Sequence, residues 1–239
     1  LVFCVIFSRE MPIDSISKVQ AQEAKESVLS ESTRTRAQKL SGPKQDDASK
    51  KSQYVIVLDA GHGGKDEGAV SDDGKLEEKE YNLAVVKEIA RLLEQSGVKV
   101  YCTRTTDRTV SKKARVRLAN KRQADMLVSV HCNASDARKH SVRGIEVLYS
   151  KRDNGAGYTN KQLAAKLLKK TVAATGLPAR GVIRREDLYL MHHAKVPAVI
   201  VETGYLTNPS DCLYMRQEKG IRQTAWGIYQ AVMETLEKY

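Results

Sequence analysis

Tyr54–Asp59 reads YVIVLD and runs directly into Ala60-Gly61-His62-Gly63-Gly64. The apolar run does not alternate with polar residues, so it reads as a strand buried on both faces, the kind found inside a parallel sheet. Downstream, Glu80–Gln95 places Leu83, Val86, Ile89, Ala90 and Leu93 at helical spacing, with Gly97 to end the helix. Val98–Thr103 predicts a second strand, and Ser111–Gln123 a second helix with Ser111 as its N-cap. Met126–His131 and Gly144–Ser150 predict further strands. Thr159–Thr175 carries Leu163, Leu167, Leu168 and Val172 on one helical face and is closed by Gly176 and Pro178. Ala198–Thr203 predicts the last buried strand and Lys219–Lys238 the terminal helix. Strands alternating with helices in this way imply a three-layer α/β/α single domain around a central, mostly parallel, twisted sheet, occupying residues 54–239.

Residues 1–53 read differently. Leu1–Phe7 (LVFCVIF) is apolar but too short to span a bilayer, and resembles the remnant of a signal-peptide core; Val19–Ala21 resembles a cleavage site. Ser8–Gln53 is rich in Ser, Lys, Gln, Glu and Ala without apolar periodicity, as expected of a disordered linker. Export is the expectation, with no integral membrane span in the folded domain. The chain of 239 residues carries a net charge of +11. Nine basic and seven acidic side chains fall in residues 1–53, so +9 belongs to the folded part. Such a surface suits polyanions, whether nucleic acid, anionic lipid or an anionic wall polymer. With only 5% aromatic residues the pattern of a nucleic-acid module is poor, and no nucleic-acid partner is expected. Cys4, Cys102, Cys132 and Cys212 show no paired spacing, so neither a thiolate metal site nor a disulfide framework is legible.

Open α/β sheets carry their ligand crevice at the carboxyl ends of the strands. Three polar clusters lie at that address: Asp59-Ala-Gly-His62 after the first strand, Ser129-Val-His131-Cys-Asn133 at the third, and Glu202-Thr-Gly204 at the last. Two imidazoles and a carboxylate on one rim suit a zinc ion with a position left open for water or substrate. A lone histidine at a strand end is more often structural; two, one of them in a glycine-rich turn, shift that balance.

DAGHGGKDEGA, LEEKEYNLA, SVHCNAS and PAVIVETGYLTNPSD, with TRTTD and RVRLAN between them, resemble the signature segments of the zinc-dependent N-acetylmuramoyl-L-alanine amidases, in the same order, across residues 54 to about 238. The resemblance implies one zinc ion held by His62, Glu78 and His131, with Glu202 as the catalytic base that takes a proton from the attacking water and returns it to the leaving amine. Glu77 and Glu80 flank Glu78 and leave a slip of register open; without the resemblance the whole group reads as a solvated helix N-terminus. Asn133 is a candidate for binding substrate or orienting His131. His140, His192 and His193 match no ligand position, and strand alternation turns Cys132 into packing. The implied substrate is peptidoglycan, cut between the lactyl group of muramic acid and L-alanine, on the wall or spore-cortex side of a bacterial membrane.

Only twelve residues separate His131 from Gly144, too few for the helical plug that some members insert there. The chain therefore resembles the compact amidases, including germination-specific ones of spore-formers, whose control would rest on zinc occupancy or a regulatory protein partner. Two rivals remain at this point. A carboxypeptidase-like zinc enzyme would need a basic residue to grip a terminal carboxylate, for which Arg104, Arg115, Arg143, Arg184 and Arg185 are candidates. A non-catalytic, basic wall-binding domain would have no use for Glu202.

Overall fold

The computed structural model describes residues 53–136, 140–152 and 154–239. The leader remnant and nearly all of the linker read at residues 1–53 lie outside the described residues. Val55–Ala60 forms β1, and every side chain from Ile56 to Ala60 is buried. It pairs in parallel with β2 (Lys99–Cys102) on one side and β3 (Met126–Asn133) on the other. β3 pairs in parallel with β6 (Ala198–Tyr205), which pairs antiparallel with β4 (Ile145–Tyr149). β5 (Ala179–Arg184) completes the sheet beside β4, giving the order β2-β1-β3-β6-β4-β5. The expected three-layer domain with a mostly parallel sheet is therefore present, with β4 and β5 reversed against the other strands. The strand order turns back between β1 and β3, and that switch point is where a crevice opens at the strand ends.

Alternation along the strands sorts the core into two unequal layers. Ile56, Leu58 and Ala60 face the large cluster, together with Val128, Val130, Cys132 and Val201. Three long helices cover that face: α1 (Glu78–Gln95), α3 (Asn160–Thr175) and α6 (Glu218–Leu236). Val57, Leu127, Ala198 and Ile200 face the other way, under only α2 (Lys112–Arg122) and the five-residue α4 (Tyr189–His193). By the same two-residue period, Asp59, Ser129, His131 and Glu202 point to this thin side.

The predicted cap at Ser111 forms, its Oγ accepting from the Ala114 N–H, and Gly176 closes α3 in the left-handed conformation; Thr159, read as the first helical residue, is instead the N-cap and makes a capping box with Gln162. β5, α4 and α5 (Pro209–Met215) had no counterpart in the sequence reading. Cys102, Cys132 and Cys212 are free thiols. No described helix is long and apolar enough to cross a membrane.

Candidate metal centre and active site

His62 follows β1 in the left-handed conformation (φ +60°). Its Nδ1–H donates to Asp66 Oδ1 at 2.8 Å, which turns Nε2 towards Glu78, 3.2 Å from Oε1. His131 comes from β3, with Nδ1 2.9 Å from the same Oε1. Glu78 opens α1 and is 3% exposed, so the solvated-helix-end reading does not describe it. Its carboxylate is oriented by the backbone N–H of Ala69 on Oε2 (2.8 Å) and that of Cys132 on Oε1 (2.9 Å), with Asn82 Nδ2 at 3.3 Å from Oε1. One potential ligand atom from each of His62, Glu78 and His131 lies within 4.8 Å of the others. Ligand atoms around a tetrahedral cation with 2.0 Å bonds stand roughly 3.3 Å apart, so two nitrogens and an oxygen at these spacings fit a single small dication.

The charges of the cluster are mutually complementary. Burial alone would raise the Glu78 carboxyl, but His131 and His62 outweigh it and keep it well below the usual carboxylate range. Burial would lower His62, yet Glu78 and then Asp66 push it up to about 8. His131 is raised in the same way, against burial, by Glu78 and Glu202.

The sequence builds the cradle with glycines and arginines. A Cβ on Gly61 would lie 2.3 Å from the His131 ring, and one on Gly68 (φ +71°) 2.5 Å from Glu78 Oε2, so only glycine allows these approaches. Arg104, 1% exposed, donates to the carbonyls of Ala60 (3.0 Å), Gly61 (2.9 Å) and Lys79 (2.6 Å), tying the β1 turn to the first turn of α1. Arg115 donates to Asp59 Oδ1 and to the carbonyls of Ala60 and His62. Asp59 also accepts from Thr103 and Ser129 (2.6 and 2.7 Å); Arg115 and these hydroxyls outweigh burial and hold its carboxyl low.

Glu202 sits beside His131 in the β3–β6 ladder. Its Oε2 is shut from solvent and has no hydrogen-bond partner among the described residues. Burial pushes its carboxyl up to about 7; His131 opposes this while Glu78 and Glu146 add to it. Glu202, His62 and His131 line one cleft of about 280 Å³, walled by Val110, Lys112, Leu188, Tyr189 and Leu190 on the thin side of the sheet.

Asn133 is near but does not orient His131. Past a register shift in β3, its Nδ2 donates to Tyr205 Oη (3.1 Å) and Glu146 Oε2 (3.3 Å). His140 pairs with Asp72, and His193 stacks on Tyr189 at 3.9 Å; neither belongs to the metal cluster. Cys132 packs in the large core, as alternation predicts.

The sequence profile of the N-acetylmuramoyl-L-alanine amidases matches residues 56–234, three quarters of the chain. The chain belongs to this family. Bacillus subtilis LytC, an N-acetylmuramoyl-L-alanine amidase, is 36% identical over 163 residues, which cover 68% of this chain and 32% of LytC. The chain thus spans about a third of that relative's length. The catalytic domain of CwlV from Bacillus (Paenibacillus) polymyxa var. colistinus superposes with a TM-score of 0.71 at 33% identity, covering 77% of this chain and 99% of that one. CwlD of Clostridioides difficile, solved in complex with the GerS lipoprotein, superposes with a TM-score of 0.70 at 29% identity, covering 78% and 100%. Asp59, Asp66, Arg104 and Glu146 support the site in roles the sequence reading did not give them. Asp59, Asp66 and Arg104 lie within segments it had quoted, whereas Glu146 carries no local signal.

Proposed function

We propose that the chain is a zinc hydrolase that cleaves the amide between the lactyl group of N-acetylmuramic acid and L-alanine in peptidoglycan. The observation that carries this reading is the Glu202 carboxylate, with an orphaned buried oxygen in the same cleft as His62 and His131. A buried polar atom without a partner costs on the order of 1–3 kcal/mol, which a binding module would have no reason to maintain.

His62, Glu78 and His131 would hold one zinc ion, with Asp66 fixing the His62 tautomer and Ala69, Cys132 and Asn82 fixing the Glu78 rotamer. When bound, zinc acidifies a water molecule and polarises the scissile carbonyl. Glu202 accepts the proton of the attacking water at its unpartnered oxygen and delivers it to the L-alanine nitrogen as the amide breaks. Burial, which favours the protonated form, set against the positive charge beside it suits the carboxyl to both transfers. Asn133, held against Tyr205 and Glu146 beside this strand end, is the candidate for binding substrate.

The five arginines named as a grip for the peptidase rival are all engaged elsewhere. Arg104 and Arg115 are bonded to backbone carbonyls and Asp59, Arg143 to Asp211, Arg184 to Glu186 and Arg185 to Asp187. Residues 54–239 form the catalytic domain in this reading and residues 1–53 an export signal remnant and linker, placing the enzyme on the wall side of the membrane. The basic surface would favour anionic wall polymers. The complex of CwlD with GerS supports a regulatory protein partner for a catalytic domain this compact.

The test is to incubate the purified chain with peptidoglycan, with EDTA, and with zinc restored after EDTA. Metal-dependent appearance of L-alanine amino termini is expected. Release of C-terminal stem residues instead would turn the assignment to the peptidase.

The pH dependence of metal loading has a definite sign. His62, raised from 6.5 to about 8, stabilises the metal-free protein below 6.5, and this contribution is lost as pH rises through about 8. The same proton must leave before the imidazole can bind zinc. Zinc binding near pH 7 should therefore release about one proton or more per ion, falling towards zero above about pH 9, as read by calorimetry in buffers of different ionisation enthalpy. Release that does not change across this range would separate His62 from the metal.

A further inference from the structure

The cleft contains one side-chain cation that nothing else uses. Arg115 lies in its floor, but its guanidinium is bonded to Asp59 and to the carbonyls of Ala60 and His62. His62 and His131 face Glu78. Lys112, the first residue of α2, lines the cleft, and its side chain makes no hydrogen bond or ion pair with any described residue. Of the carboxylates that line the same cleft, Asp59 is paired with Arg115 and Asp66 with His62, and Glu202 makes no ion pair with Lys112.

We propose that Lys112 is a specificity-determining residue that reads a free carboxylate on the second residue of the peptide stem. This inference rests on the amidase reading. In that substrate the lactyl carboxyl is tied up in the scissile amide, so the sugar side of the bond carries no charge. On the amine side L-alanine is neutral. The next residue is a D-glutamate joined through its γ-carboxyl, which leaves its α-carboxyl as the first anion along the chain. It lies roughly 5–7 Å from the nitrogen being released, within one to two residues' reach. Some walls convert this carboxyl to the amide, D-isoglutamine, which keeps the shape and removes the charge. An unpaired ammonium on the wall of the cleft distinguishes the two, because it gains an ion pair with one and only a weaker hydrogen bond with the other. Arg115 cannot take this role without abandoning Asp59.

The experiment uses the zinc-loaded full chain and muropeptide tetrasaccharides with pentapeptide stems carrying either D-glutamate or D-isoglutamine at the second position. For a partly exposed pair the expected preference in kcat/KM is about fivefold for D-glutamate. It should shrink as salt rises to about 1 M. Lys112→Met should bring the ratio close to one and Lys112→Glu should favour the amide, whereas Lys112→Arg and Lys113→Met should each keep the preference. A wild-type ratio near one, or a preference that survives in Lys112→Met, overturns the role of Lys112. Cleavage of neither fragment overturns the amidase reading itself, and this inference with it.

Discussion

Glu202→Gln should lower the rate of stem release from peptidoglycan by roughly 10²- to 10⁴-fold, the range of a lost general acid–base catalyst, while the chain still binds one zinc ion. The substitution keeps the size and planarity of the side chain and removes only its capacity to carry a proton at working pH. Its Oε2 has no hydrogen-bond partner among the described residues, so no hydrogen bond to that oxygen is lost; what goes with the charge is the attraction to His131. Burial has already pushed the carboxyl up to about 7. In the metal-free protein the native state therefore holds this proton more tightly than the unfolded chain, and ionisation above about pH 7 works against folding. Gln avoids that cost, so the variant should melt no lower than the wild type at pH 8. Steady-state release of L-alanine amino termini, zinc stoichiometry and a thermal melt together check the point. Activity within tenfold of wild type would remove Glu202 from the chemistry.

Glu78→Gln should have the second-largest effect, by a different route. Two imidazoles share Glu78 Oε1, at 3.2 and 2.9 Å, and two backbone N–H groups approach its two oxygens. Every one of these contacts requires an acceptor. An amide offers one oxygen and one NH₂, so whichever way it turns, a donor meets the N–H of Ala69 or of Cys132. Leaving one buried N–H unpaired costs about 1–3 kcal/mol, visible as a lower melting temperature of the metal-free protein. Loss of the anionic ligand should weaken zinc by at least about 10²-fold, beyond what disturbing an outer partner does, as read by chelator competition. Unchanged affinity would return the ligand to a neighbour, but Glu77 is paired with Lys79 and Glu80 is exposed.

What could be read from the sequence, and what could not, follows from how far each signal extends. β1, β3 and β6 are apolar because they are buried on both faces, and α1, α3 and α6 carry broad apolar stripes, so length and period expose them. β5 reads ARGVIR, and its exposed ends leave no run to detect; it is an edge strand, paired only with β4. α4 and α5 are five and seven residues long, below the length at which periodicity carries weight, although Asn208 followed by Pro209 is a legible start for α5. The three ligand candidates and Glu202 were legible through their motifs. The contact of Asn133 with Glu146 and Tyr205 depends on β4 running antiparallel to β6, and nothing local in the sequence states the direction of a strand.

The two layers over the sheet bear unequally on what the chain can become. The face under α1, α3 and α6 holds most of the buried apolar surface, and substitutions there put folding itself at risk. The cleft is walled from the other face, by the start of α2 and by the residues around a helix of five residues. Lys112 and Tyr189 can therefore be exchanged by mutation with little effect on the core that carries stability. Selection for a new wall chemistry would act on this shallow layer first, while the long helices behind the sheet preserve the ancestral fold.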